Sequence, residues 1–418
     1  MRILILAPML PQGRGAAIPM LLSAMVEGLS ARNEVTYVTS MGDEPGEAEA
    51  ARDLQASDLD IHIADRRVPA EASRRWRRRV RLARSWATGG RPWRVLWFAE
   101  PAIQNELDRL AARREFDVIA VEDSPMAGFR LPAGVPTVYT EHEALRAPID
   151  SWRPQRPAER LLQPLRRRDW GRWPRFQPEV WRKFDLLQTY SAADAAVIEA
   201  TSPELADRIR INPFGTILPP PLDPRLEVSG TVLFVGNFTH PPNRDAAIWL
   251  AESVMAAVWA RSPQARLRIV GVAPPREVLD LAGPRVDLFP DAPSVRPHLE
   301  AASVVTAPVT TGGGMRMKVL EAMASGKAVA ATPLGADGYT QFEEGPPIAL
   351  GESAEELGEG IATLLVDPQR RRRMGLEARE FAERHHSPNA WAKRLEAVYE
   401  EACAAARAPG AARGSGLA

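Results

Sequence analysis

The chain has one cysteine, Cys403, in 418 residues, so no disulfide can close within it, and a reducing, cytoplasmic compartment is the expectation. It has no run of about 18 apolar residues, which excludes an apolar spanning helix. The opening run MRILILAPML is short and is cut by Pro8 and Pro11, so it reads as a buried first strand and not as a secretory leader. Neither sign of charge is in excess: 53 basic residues meet 53 acidic ones, and no global field favours nucleic acid or acidic membranes. The dinucleotide fingerprint is missing, because after Gly13 and Gly15 the third glycine position holds Ile18, which argues against a nicotinamide dehydrogenase. No His, Cys and carboxylate cluster has metal-ligand spacing, so no metal and no other cofactor is expected. The pair Asp58 and Asp60 reads as a turn before a strand.

What is present is the composition of a globular protein, 45% hydrophobic and 25% charged, at a length that fits about two domains. Arg2 to Ala7 is a continuous apolar strand. A Gly13–Gly15 loop, a helix from about Ile18 to Ser30 and a strand at Val35 to Ser40 complete a βαβ opening of a doubly wound α/β sheet. Further strands are expected at Phe116–Val121, Val135–Thr140 and Leu186–Thr189. The proline-rich Asn212–Pro224 reads as a linker, and a second βα series begins at Thr231.

The most informative stretch is Ala307 to Thr332, APVTTGGGMRMKVLEAMASGKAVAAT. It reads as strand, glycine loop, helix from near Met315, stop at Gly326, and strand from Lys327. Glycines let backbone approach a ligand, and free N–H groups at a helix start attract anions. Arg316 and Lys318 in the first turn oppose the helix dipole, which an anion in front of them would relieve. Glu321 lies one turn deeper on nearly the same face, where a carboxylate can accept two hydrogen bonds from a ribose diol. Diphosphate at the tip and ribose below it make a nucleoside diphosphate.

Two segments are basic and tryptophan-rich. Residues 71–95 carry nine arginines against Glu71, and residues 146–184 carry ten arginines and Lys183 against four acids. Both read either as solvated helix faces with inward tryptophans or as a surface for an anionic or lipid-linked acceptor at a membrane face. Single-stranded nucleic acid has no supporting motif. His142, flanked by Glu141 and Glu143 at a strand's carboxyl end, sits where α/β proteins place ligands.

These residues resemble a known family. GGGMRMKVLEAMASGKAVAAT is similar to the nucleotide-sugar segment of family 4 GT-B glycosyltransferases (glycosyl transferases group 1). LFVGNFTHPPNRDAAIWL followed by LRIVG resembles the start of that family's C-terminal domain, and TYSAADAAVIEA with INPFGTILPPPLDP its end-of-first-domain pattern. The resemblance implies an α/β GT-B fold: two Rossmann-like doubly wound domains facing a cleft, with a C-terminal helix crossing back to the first domain. The corresponding bounds are 1–218 for an acceptor domain, 219–229 for a linker, 230–386 for a nucleotide-sugar domain, 387–407 for the crossing helix and 408–418 for a disordered tail.

It also implies a hexosyltransferase-like enzyme that moves a sugar from a nucleotide diphosphate sugar to an acceptor hydroxyl. Anomeric configuration would be retained, no metal would be needed, and the setting would be polysaccharide or glycoconjugate synthesis. The acceptor would be a glycan, a lipid-linked sugar or a small molecule, and the location cytoplasmic or peripheral at the inner membrane face. By the same resemblance Glu321 is the second Glu of the E-x7-E pattern, whose first position is Gly313 here. The family's Arg and Lys after its C-terminal-domain glycine fall at Asn237 and Asn243. Diphosphate charge is then met by the Gly313, Gly314 and Met315 amides, Arg316, Lys318 and Arg244, while Gly13 and Gly15 lie beside the diphosphate and His142 near the sugar. Two other readings fit the same residues: a nucleotide-sugar epimerase, which would turn over donor without acceptor, and a non-catalytic nucleotide-sugar binder.

Overall fold

Apolar stretches without alternation bury both faces of a strand, and here they sit at the centres of two parallel sheets. The computed structural model describes residues 1–13, 17–44, 46–68, 71–144, 157–220 and 222–407, with backbone only for 157–160. Gly15, residues 146–156 of the second basic segment and the 408–418 tail lie outside the described residues. The chain divides into two units: Met1–Leu145 with Leu161–Ile217 and the chain from Pro388 onward, and Leu218–Ser387.

The first unit is built on seven strands: β1 (Arg2–Leu6), β2 (Glu34–Met41), β3 (Asp60–Asp65), β4 (Val118–Glu122), β5 (Thr137–Glu141), β6 (Leu186–Thr189) and β7 (Ile209–Ile211). They run in the order β3-β2-β1-β4-β5-β6-β7, every pairing parallel. Ile3 to Leu6 are fully buried, as an apolar strand at the centre of such a sheet requires. The strand order reverses between β1 and β4, and that switch point opens a crevice at the carboxyl ends. β5 starts two residues later than the sequence suggests: Pro136 has no N–H for the ladder, and the strand then runs on to Glu141. Asp60 opens β3 itself, accepting from the Thr36 hydroxyl at 2.8 Å and pairing with Arg114. Asn212, at the start of the proline-rich stretch, is buried against this sheet, its N–H donating to Thr189 O at 2.8 Å.

The chain's last helix, Pro388–Arg407, completes this unit by packing on the Ala17–Ser30 helix. Trp391, Ala392, Leu395 and Tyr399 bury its inner face. A side chain at Gly28 would bring its Cβ within 2.3 Å of Pro388 O, so glycine is needed for the two helices to approach this closely.

The second unit has β8 (Thr231–Asn237), β9 (Arg266–Val272), β10 (Val286–Pro290), β11 (Val304–Ala307), β12 (Ala328–Ala331) and β13 (Ile348–Leu350), all parallel in the order β10-β9-β8-β11-β12-β13. Its switch point lies between β8 and β11. The helix after β8 begins at Pro241, because two prolines suit its first turn, and it passes through a π-helical turn at Leu250–Val254. The helix after β11 spans Met317–Ala324, two residues later than the sequence suggests, since Arg316 keeps an extended backbone.

Candidate functional site

In the second unit the candidate residues lie at the switch point, and in the first Gly13 follows β1 while His142 follows β5. In the second unit Gly312 and Gly314 adopt φ of 91° and 77°, a left-handed backbone that glycine allows without strain. The loop they shape delivers Arg316 and the helix start. The guanidinium of Arg316 curls back to donate to the carbonyls of Gly313 and, at 3.2 Å, Gly312, while its own carbonyl accepts from Tyr339 OH at 2.7 Å. No side chain caps the first amides of the Met317–Ala324 helix. Donors without a capping side chain are what an anion needs at a helix start.

Lys318 crosses from that helix to the loop after β8. Its Nζ donates to Asn243 Oδ1 at 2.7 Å and lies 4.4 Å from the centre of the Phe234 ring. Asn243 Nδ2 in turn donates to Asn237 O at 2.8 Å, and Asn237 Oδ1 accepts from Thr239 N and Oγ1. Burial, and then the Arg316 charge, push Lys318 down to about 7. Glu321 is mostly enclosed, its carboxyl is raised by burial, and it accepts no hydrogen bond from the described residues. Arg244 turns to Asp245, donating from Nε at 2.9 Å and Nη2 at 2.6 Å. The structure thus brings Asn237, Asn243 and Lys318 into one hydrogen-bonded corner, beside the loop of Gly313, Gly314, Met315 and Arg316.

In the first unit Gly13 follows β1, and a Cβ there would meet only Ile217 Cδ1 at 3.9 Å, so the backbone stays approachable. His142 follows β5. Its Nε2 pairs with Glu122 Oε2 at 2.9 Å and lies 3.3 Å from Tyr190 OH. Burial alone would lower this imidazole, but the Glu122 hydrogen bond and the charges of Asp123, Glu122 and Glu141 outweigh it and raise it. Neither sequence neighbour, Glu141 or Glu143, is the carboxylate that pairs with His142. Successive strand residues face opposite ways, and Glu141 turns inward, accepting from Trp181 Nε1 at 2.9 Å, Tyr139 OH at 3.0 Å and Gln177 Nε2 at 3.2 Å. Burial and the Asp123 charge raise that carboxyl to about 8. Asp123 itself has φ 68° and ψ 149°, a glycine-like backbone on a residue whose carboxylate is held by Arg94 at 2.7 Å. Glu122, Asp123 and Tyr190 were not legible as site residues. The register that sets Glu122 beside Thr140 would have found Glu122, but register is a property of the folded sheet. Among the described residues no group of three or more His, Cys, Asp or Glu could hold a metal ion.

Two parallel doubly wound units, with a glycine loop at the switch point of the second, make up the GT-B fold. The same architecture covers 96% of this chain and the whole of Anabaena Alr3699/HepE, solved in complex with UDP (TM-score 0.58, 13% identity). It covers 97% of this chain and all of the sucrose-phosphate synthase of Thermosynechococcus elongatus (TM-score 0.58, 18% identity). TarM of S. aureus is similar over 96% of this chain and 100% of its own (TM-score 0.61, 11% identity). No curated protein sequence matches this one. Residues 229–367, within the second unit, match the family model described as Glycosyl transferases group 1.

Proposed function

We propose that the protein transfers a sugar from a nucleotide diphosphate sugar to an acceptor hydroxyl, with the diphosphate at the start of the Met317–Ala324 helix. The observation that carries this is the pairing of uncapped helix amides and the Lys318 ammonium with Glu321, an enclosed carboxylate one turn deeper that takes no hydrogen bond from the described residues. A ribose diol satisfies that carboxylate, and a diphosphate restores the charge that burial holds back on Lys318. Support also comes from HepE, whose structures hold UDP and UDP with glucose.

In the reaction the acceptor oxygen bonds to the anomeric carbon. The bond from that carbon to the phosphate oxygen breaks, its electron pair stays on the diphosphate, and the hydroxyl proton ends on that phosphate. Fixed donors aimed at the developing charge are usually the largest catalytic contribution; Lys318, the Gly313–Met315 amides and the helix start fill that role, and Arg316 shapes the loop that presents them. By the family resemblance, His142 would serve the sugar, and Gly13 and Gly15 the diphosphate. Retention of configuration, a metal-free reaction and a glycan, lipid-linked or small-molecule acceptor belong to the same reading. So does a role in polysaccharide or glycoconjugate synthesis at the inner membrane face.

The test is a thermal-shift and calorimetric series with UDP-, GDP- and dTDP-sugars, since a ligand of the folded state raises its melting temperature. One nucleotide series should stabilise the protein, and Glu321→Ala should weaken its binding about tenfold to hundredfold through loss of its charge-assisted hydrogen bonding to the ribose diol. Unchanged affinity in Glu321→Ala removes the ribose role. Donor consumed without acceptor would favour the epimerase reading, and binding without any turnover the binding-protein reading.

A further inference from the structure

We propose that Glu122 is the positioning residue of His142: its carboxylate, anchored by a one-way row of hydrogen bonds from Arg394, holds Nε2–H and leaves Nδ1 as the nitrogen that meets substrate. The proposal rests on the reading of His142 as a substrate-facing group. The row runs through the first unit along the carboxyl ends of β4 to β7. Arg394 Nε donates to Asn212 Oδ1 at 3.1 Å, and Asn212 Nδ2 to Gln188 Oε1 at 3.0 Å. Gln188 Nε2 donates to Thr140 Oγ1 at 2.8 Å, and Thr140 Oγ1 to Glu122 Oε1 at 2.8 Å.

Its direction is forced. A guanidinium has no acceptor, so Asn212 must turn its oxygen to Arg394 and its amide nitrogen to Gln188. Gln188 must then do the same toward Thr140, whose single hydroxyl hydrogen is left for Glu122. Asn212, Gln188, Thr140 and Glu122 are all buried, so a reversed link would leave like groups facing each other out of reach of water. Arg394 also donates to Pro213 O at 2.6 Å, which pins the starting end.

The far end fixes the histidine. With Oε1 taken by Thr140, Glu122 presents Oε2 to His142 Nε2 at 2.9 Å and to Tyr190 OH at 3.3 Å. Nδ1 makes no hydrogen bond with the described residues. The charged and titratable groups facing the ring are Glu122 from β4, Asp123 with its partner Arg94, Glu141 from β5, and Tyr190, which the last helix backs with Trp391 and Tyr399. The Glu122 hydrogen bond and the neighbouring carboxylates outweigh the one paired arginine and favour the imidazolium, in which Nδ1 is a donor. Once the proton is lost, Nδ1 becomes an acceptor and that donor disappears.

The experiment uses the full chain with ¹⁵N-labelled histidine, following His142 by long-range ¹H–¹⁵N spectra across pH, its signal assigned by its loss in His142→Gln. The wild-type ring should titrate above the ordinary histidine value and, when neutral, carry its proton on Nε2. A neutral ring protonated on Nδ1, or a midpoint at or below the ordinary value, overturns the proposal without any Glu122 variant having to fold. Glu122→Gln should lower the midpoint by about one pH unit. The high-pH limb of kcat/KM should move down with it. A limb that stays in place while the midpoint moves also overturns it. If no donor sugar is bound or transferred, the functional reading falls, and the wild-type tautomer still decides whether Glu122 sets the ring.

Discussion

An ammonium group stays charged at neutral pH unless the charge is made costly. For Lys318, burial and the neighbouring Arg316 bring it to about 7. A diphosphate would return the proton, so binding of a nucleotide sugar above pH 7 should take up about one proton, and affinity should fall between pH 7 and 9. Calorimetry at pH 8 in buffers of different ionisation heat measures that uptake; Lys318→Met should abolish it, and uptake unchanged in that variant would remove Lys318 from the diphosphate site. Lys318→Ala should lower turnover by about 10²–10³-fold. The sign for folding is opposite to that of a paired lysine. Unfolded Lys318 titrates near 10.4, so between about 7 and that value the unfolded chain holds more protons, and this group's contribution to stability rises with pH there. The family resemblance put Asn237 and Asn243 where the family has cations. It did not show that Lys318 brings an ammonium to Asn243 from 75 residues away, because no local spacing encodes that contact.

Among the elements, the central strands were the most legible. β1, β11 and β12 are short apolar runs between loop signals, and burial on both faces is the only environment that suits them. The basic, tryptophan-rich segments were legible as composition only. The structure sorts their aromatics: Trp173 and Trp181 are core, and Trp86 lies under Arg172 at 4.4 Å, while Trp76 on the Ala72–Thr88 helix is 66% exposed beside a 43% exposed Val80. An exposed tryptophan among arginines suits an anionic lipid surface. No described helix is long and apolar enough to cross a membrane. Flotation with anionic liposomes at low salt should carry the protein up, and Trp76→Asp with Val80→Asp should reduce this severalfold. Absence of flotation at low salt would refute the membrane role. The Glu122–His142 pair was not legible, because it depends on how β4 and β5 are aligned.

For the whole molecule, the proposed site meets the leaving-group charge with protein donors, so a chelator should leave turnover intact. Loss of activity on chelation, restored by a divalent cation, would contradict the metal-free scheme. A chain ending at Ser387 should lose the folded first unit, since it strips the buried Trp391, Leu395 and Tyr399 from that unit and removes Arg394 from Asn212. Circular dichroism and solubility check this, and a stable, monomeric truncated protein would show that the last helix is dispensable.

Because the first unit is closed by residues that follow the second, the ribosome must finish the second before the first can be sealed. At about 5–20 residues per second, the stretch from Ile217 to Pro388 takes roughly ten to thirty-five seconds. During that interval the groove awaiting Trp391 is uncovered, so a nascent chain stalled in the second unit should be the species that chaperones hold.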